Sequence, residues 1–483
     1  MKNYDCGWGS FYLFIDFSKG SAHPRFTSGG PWDFDLGLGN KKSDGHPKPD
    51  GDFLASQSTS GGFGMSTEFN PCISFKFTTD NETFTSFNGP KFHYGNNQFW
   101  NEPFQKATSI LFEHDITEKE LKIVDYKDVK AFFPVYNEKS VFPFDIFAAS
   151  FYLVTRYEEY LPHINDKYNR FQAKDSILFK MNMLEKPLVN IWAMELGNIL
   201  TAIYPDLQLK KKSFTFTPTY DVDAAWAYRH KGIFRTVASM ARDAIRMDFA
   251  ECRKRWDVLI EREKDPFDTF DYQLQLQKEL NLHPKYFILC GEYDLNDKNI
   301  SLRNTEFQNL IKRLGDYAEV GIHPSFSSYL NKEKVGMEIR NLSKVLNREI
   351  TMSRQHFLRL QMPLSYQILI DLDITDDYTM GYATQAGFRA GIASTYKFYD
   401  LEHDNVTKLN IHPFALMDGT LRDYLDLNVD ESYEKAIRLI QEVKDVNGTF
   451  ILLWHNETLS DQKRWTGWLP LYHKIIDYAL NNQ

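Results

Sequence analysis

Asp221 and Asp223 stand two residues apart, just after a run, Ser213-Phe214-Thr215-Phe216-Thr217, that alternates polar and aromatic side chains. The alternation and the β-branched threonines predict a short strand that stops at Pro218. If extended backbone continues through the acids, the two-residue period points both carboxylates to one side. Two such groups in a dry pocket stay ionised only beside a cation or within a hydrogen-bond network. Three other runs end in a comparable way. Tyr286-Phe287-Ile288-Leu289-Cys290 is continuously apolar and ends at Gly291-Glu292. Glu319-Val320-Gly321-Ile322 ends at His323, with Pro324-Ser325-Phe326-Ser327 behind it. Thr449-Phe450-Ile451-Leu452-Leu453-Trp454 ends at His455.

The intervening segments read as helices. Val335, Ile339, Leu342 and Leu346 repeat at helical spacing, and similar patterns cover 270–281, 304–314, 431–444 and 469–481. Residues 233–263 are a mixed-charge helical elaboration. Strands are expected near 214–220, 285–290, 318–323, 352–358, 392–398, 407–412 and 449–455. Apolar strands alternating with helices imply a parallel sheet or barrel, in which chemistry gathers at the C-terminal strand ends. Asp221, Asp223, His323 and His455 all fall there.

With 483 residues the chain is expected to form two domains, 1–210 and 211–483, divided near Lys210-Lys211-Lys212. The first is read as mixed α+β. Its first ninety residues are loop-rich, with Gly, Ser, Asp and Pro clustered from Ser28 to Gly64. Strands are expected at Ile110-Leu111-Phe112 and Leu121-Lys122-Ile123-Val124. A helix over 144–161, capped by Asp145, presents Ile146, Ala149, Leu153 and Tyr157 on one face. Arg156, Glu158 and Glu159 read as a solvated charge cluster at its end, and a second helix covers about 189–203.

A formal net charge of −9 argues against nucleic acid as a partner, since no basic domain offsets it. Cys6, Cys72, Cys252 and Cys290 show no paired spacing, so a disulfide framework is not expected. No stretch is apolar for long enough to span a membrane, and no apolar leader opens the sequence. These features predict a cytoplasmic protein. An aromatic share of 15% suits a core alone, the commoner use of such residues, or a core together with a surface on which sugar rings could stack.

The order of these motifs resembles the polysaccharide deacetylase superfamily (carbohydrate esterase family 4 and relatives), and more narrowly a two-domain bacterial subgroup with an uncharacterised N-terminal domain. The stretches that carry the resemblance include Thr219-Tyr220-Asp221-Val222-Asp223, Asp265-Pro266-Phe267-Asp268-Thr269-Phe270, Ser353-Arg354-Gln355-His356-Phe357-Leu358-Arg359 and Gly387-Phe388-Arg389-Ala390-Gly391. Residues 141–171 resemble the subgroup's N-terminal domain. The resemblance implies a distorted (β/α)7-type barrel that removes acetyl groups from N-acetylated sugars with a divalent metal, zinc above all. It implies Asp221 as catalytic base, Asp223 and His323 as metal ligands, Arg354 as the cation that holds Asp221 ionised, and His455 as general acid. The family's third ligand, a histidine four residues after the first, falls on Ser327, a poor zinc ligand. His356 is the alternative donor, or else a core residue that orients others.

Ser327 is then left to substrate, and backbone N–H groups at Phe326 or Ser327 are candidates for an oxyanion site. Arg389, between two glycines, reads as a loop anchor or as a clamp on a substrate carboxylate or a catalytic aspartate. The expected activity is metal-dependent removal of an acetyl group from an N-acetylated sugar or glycan precursor, with a carbohydrate or other small molecule as partner. The alternatives are an inactive carbohydrate-binding scaffold on the same barrel and an amidohydrolase of a small non-sugar amide.

Overall fold

The computed structural model describes residues 11–16, 74–78, 81–95, 102–108, 121–207, 209 and 212–481. The stretch from Ser28 to Gly64, the run Ile110-Leu111-Phe112, Cys6, Cys72 and Lys210-Lys211 lie outside the described residues. Contacts divide the chain into two compact units. One holds residues 1–163, 176–213 and 390–410, and the other holds 164–175, 214–389 and 411–483.

The first unit carries β1 (Phe11–Asp16), β2 (Ser74–Thr78), β3 (Lys91–Gly95) and β4 (Phe104–Lys106), ordered β2-β1-β3-β4. A hairpin of β5 (Ile123–Tyr126) and β6 (Val129–Phe132) follows. Asp145 caps the helix Ile146–Val154, taking the Ala148 N–H at 3.0 Å as well as the Thr108 N–H at 2.6 Å. That helix is shorter than its sequence pattern. Arg156 takes a left-handed backbone (φ 56°) and turns its guanidinium inward onto Glu158 and Glu159, each at 2.7 Å. The trio is buried, not a solvated face, because the guanidinium donors and the carboxylates satisfy each other. The later helix, Leu188–Ile203, lies where its apolar pattern puts it.

The second unit is built on β7 (Thr215–Val222), β8 (Lys285–Leu289), β9 (Glu319–His323), β10 (Met352–Ser353) and β11 (Asp376–Asp377). The chain then makes β12 (Tyr396–Asp400) and β13 (Asn405–Ile411), almost wholly within the first unit's 390–410 segment, before β14 (Leu416–Met417) and β15 (Thr449–His455). Strands of the second unit follow the order β11-β10-β9-β8-β7-β15-β14, and every pair is parallel. Among the described residues β14 and β11 do not pair, so the sheet is open where a (β/α)7-type barrel is expected. The strands β10, β11 and β14 have two residues each, too little ladder to close a barrel.

The sheet nevertheless curls. Three strand spacings separate β7 from β10, on the order of 14 Å if flat, yet Arg354 just after β10 reaches Asp221 on β7. Phe287, Met352, Leu358, Tyr378, Phe414, Ile451 and Leu453 fill the inside of the curl as one apolar cluster. Helices line the connections at Phe270–Glu279, Thr305–Tyr317, Lys332–Leu346, Val429–Asp445 and Trp468–Asn481.

Two local departures bear on the site. Strand β7 does not stop at Pro218. Proline lacks a donor, and here it lies opposite Leu452 of β15 while pairing with β8 begins only at Thr219. The extended backbone therefore runs on through Asp221. The strand expected over 352–358 is real only at Met352–Ser353. Beyond it Phe357 (φ 60°) and Leu358 (φ 55°) turn the chain sharply.

Candidate functional site

The register of the parallel sheet assembles the site. His455 is the direct partner of Asp221 across β15 and β7, and His323 closes β9 beside Leu289 of β8. The Arg354 N–H bonds to Ile322 O and the His356 N–H to Pro324 O, so the turn after β10 lies along the end of β9. Asp223 leaves β7 into a loop fixed from below. The Asp265 carboxylate accepts the Ala227, Tyr228 and Arg229 N–H groups at 2.7–3.0 Å, and Asn456 Nδ2 donates to Ala224 O. Gly291 permits the close fit of the β9 loop, since a Cβ there would lie 2.4 Å from Ser325 Cβ.

Asp223, His323 and His356 bring one donor atom each within 4.8 Å of one another. His323 Nε2 lies 3.3 Å from Asp223 Oδ1, and His356 Nε2 lies 3.6 Å from Asp223 Oδ2. Both rings are held from behind. His323 Nδ1–H donates to Arg354 O at 2.5 Å, and His356 Nδ1–H donates to Asp297 Oδ1 at 2.9 Å. A carbonyl can only accept, so the neutral His323 ring presents the lone pair of Nε2 to Asp223. Asp223 Oδ1 is buried without a hydrogen-bond partner. An orphaned carboxylate oxygen facing an imidazole lone pair is an arrangement that a cation satisfies, so the donor set fits a divalent ion. Burial opposes ionisation of Asp223, but His356, with His455 beyond it, holds its carboxyl well below the ordinary range.

Beside this cluster lie a second carboxylate and a third imidazole, Asp221 and His455. Asp221 is buried, with Oδ1 2.8 Å from Arg354 Nη1 and Oδ2 3.7 Å from His323 Nε2. Arg354 is itself buried, donating also to Thr219 Oγ1 and Tyr378 O with its plane over Phe287. On the other flank His455 Nδ1 meets Asp418 Oδ1 at 2.7 Å, and its Nε2 lies 3.9 Å from Asp223 Oδ2. Burial would lower the His455 imidazole, but Asp418, with Asp223 and Asp221 beyond it, pushes it up to about 10.

Two of these residues escaped the sequence reading. Asp297, on the loop after β8, accepts the Phe326 N–H at 2.7 Å, the Ser327 N–H at 3.1 Å and His356 Nδ1–H. Its loop carries no pattern that sets it apart. Asp418 accepts from the His455 N–H and ring and from Thr458 Oγ1. It ends the short apolar run Phe414-Ala415-Leu416-Met417, the same strand-then-acid pattern as β7, so a signal was present.

The Phe326 and Ser327 N–H groups considered for an oxyanion site are instead engaged by Asp297. Ser327 Oγ turns away to Lys334 Nζ at 2.8 Å and Ser325 Oγ at 3.1 Å. Arg389 is buried, donates to Gly381 O and lies over the Tyr382 ring. The cluster thus unites Asp221, Asp223, His323, Arg354, His356 and His455, with Ser327 and Arg389 engaged elsewhere.

Residues 65–205 match the model of a family of unknown function (DUF7033). No curated protein matches the chain. Similar solved structures include a candidate polysaccharide deacetylase from Mycobacterium smegmatis, 13% identical over 56% of this chain and 86% of that one, with a TM-score of 0.37. A polysaccharide deacetylase from Bacillus cereus is 11% identical over 55% and 88%, with a TM-score of 0.25. A CE4 family pseudoenzyme from Bacillus anthracis is 12% identical over 56% and 62%, with a TM-score of 0.26. Likeness at this level assigns no role to any residue. Among the described residues no helix is long and apolar enough to cross a membrane.

Proposed function

We propose that the protein is a metal-dependent hydrolase that removes an acetyl group from an N-acetylated sugar or glycan precursor. The observation that carries this reading is the convergence of Asp223, His323 and His356 on one point, flanked by an Arg354-held carboxylate and an Asp418-held imidazole. His356, from the turn after β10, stands in for the ligand absent at Ser327. Asp223, His323 and His356 would hold a divalent ion, zinc by the preference of that metal for imidazole and carboxylate. Bound there, the ion would supply the Lewis acidity that amide hydrolysis needs.

The protein's own groups then divide the proton transfers. Asp221 keeps Oδ1 on Arg354 and has Oδ2 toward the cluster, which suits it to take a proton from the attacking water. His455 is charged at neutral pH, and Asp418 on Nδ1 leaves Nε2–H to protonate the departing nitrogen. Phe357 sits edge-on to His356 at 4.7 Å and packs against Tyr168 and Phe326 at 5.1 Å. These rings offer an apolar wall to an acetyl methyl or a sugar face.

The test pairs metal content with product release. Wild-type protein prepared without chelator should carry about one equivalent of metal, lost in Asp223→Ala, His323→Ala and His356→Ala. It should release acetate from acetylated sugars in preference to small amides. A wild type that takes up no zinc when supplied, or acetate release that survives Asp221→Asn, would end this reading.

A further inference from the structure

The segment between β7 and Asp265 folds as two helices, Ile233–Ile245 and Phe249–Leu259, and its polarity is reversed. Large apolar side chains point to solvent: Ile233 is 80% exposed, Phe234 93%, Ile245 82%, Met247 78% and Phe249 69%, with Val237 also exposed. At about 3.6 residues per turn, Phe234, Val237, Ala241 and Ile245 fall on one stripe, with Arg242 and Arg246 along its edge. Asp243 projects opposite, where it is buried and pairs with buried Arg255 of the second helix at 2.6 Å. Glu251 turns inward as well, onto Tyr228 Oη and Lys463 Nζ. Ionic pairing therefore holds the hairpin together, and the apolar stripe is left outside. The hairpin's turn, Ile245 to Phe249, is apolar at three of its five residues.

Charge decides what fits this face. Residues 231–264 hold nine Lys and Arg against six Asp and Glu, in a chain of net charge −9. Three of those acids, Asp243, Glu251 and Asp257, are turned toward basic partners, Asp257 toward Arg253 and Arg262, while Arg246, Arg253 and Arg262 themselves stand exposed. An outward stripe of Phe, Ile, Val and Met edged by arginine has the chemistry of a helix that lies in a bilayer interface. We propose that this hairpin docks the protein on a membrane surface rich in anionic headgroups. The apolar stripe and turn would enter the headgroup boundary, and the arginines would pair with lipid phosphates. The hairpin leaves β7 at the strand end that carries Asp221 and Asp223, so docking would set that end of the sheet beside the lipid.

The test is sedimentation of the full-length protein with vesicles of phosphatidylcholine and phosphatidylglycerol, about two to one. Wild type should sediment with these and stay largely in solution with phosphatidylcholine alone. Phe234→Ser with Ile245→Ser should weaken binding about tenfold or more, and Arg246→Ser with Arg253→Ser about fivefold per charge. Both pairs lie on exposed positions and should retain the wild-type melting profile. The assay reads lipid binding alone and does not depend on the chemistry assigned to the histidine cluster. The proposal is overturned by a wild type that ignores both vesicles, or by binding that neither variant changes. It is overturned too if the serine substitutions dissolve a dimer seen by analytical ultracentrifugation, which would assign the face to a second copy of the chain.

Discussion

Asp297→Asn isolates the part of the site that the sequence did not announce. The native carboxylate takes the Phe326 N–H and His356 Nδ1–H on Oδ1 and the Ser327 N–H on Oδ2. An amide has one oxygen. Seated with that oxygen toward His356, it sets its NH2 against the Ser327 N–H, donor against donor. Seated the other way, it faces His356 Nδ1 with a donor and selects the tautomer whose proton is on Nε2, where the metal lone pair should be. Either seating loosens His356 or blocks it. Residues that orient a ligand from behind typically govern metal affinity by about 10- to 100-fold, or roughly 1.4–2.7 kcal/mol. Competition with a chromogenic zinc chelator should show that loss, and His356→Ala should show at least as much. Hydrogen exchange should quicken at the Ser327 amide in the first seating or at the Phe326 amide in the second, whichever loses its acceptor. A zinc affinity within about threefold of wild type, with unchanged exchange at both Phe326 and Ser327, would falsify the assignment of His356 as an oriented ligand.

Arg354→Met leaves the buried Asp221 carboxylate without its cation and should cost about 3–5 kcal/mol in chemical denaturation. Adding Asp221→Asn should recover part of that loss. Asp418→Asn removes the acceptor that orients His455, so kcat for acetate release should fall roughly 100-fold or more with KM little changed. Burial lowers the His93 imidazole to about 4, against the opposing pull of Glu102. The unfolded chain therefore binds a proton near 6.5 that the folded unit refuses. Stability from this group is intact above that pH and is lost as pH falls toward 4, on the order of 2 kcal/mol after allowance for solvent screening. Calorimetric melts of His93→Leu from pH 7 to 4 should show a shallower decline than wild type.

Local pattern determined much of what the second unit contains. Alternating or continuously apolar runs ending in Asp221, His323 and His455 mark β7, β9 and β15, because a strand buried on both faces must be apolar and its polar groups must wait for the end. Helical spacing gave Thr305–Tyr317, Lys332–Leu346 and Val429–Asp445 to within a few residues. Strands of two residues, β10, β11 and β14, are too short to show a period, and so the open sheet was not legible. Charge signs were legible too, but their placement was not. Arg156 with Glu158 and Glu159 reads like any solvated cluster and is buried, while Phe234 and Ile245, in what reads only as a mixed-charge helical elaboration, face water. Periodicity says which residues share a face, not which face the rest of the chain covers.

The chemistry divides the same way. The sequence alone names Asp221, Asp223, His323 and His455 as strand-end groups and finds no imidazole at Ser327. Only the curl of the sheet, which carries Arg354 across to Asp221, and the left-handed turn at Phe357 and Leu358, which follows His356 directly, bring six side chains from four strand ends together. Those are long-range consequences of packing around Phe287, Phe414 and Leu453, and no local window contains them.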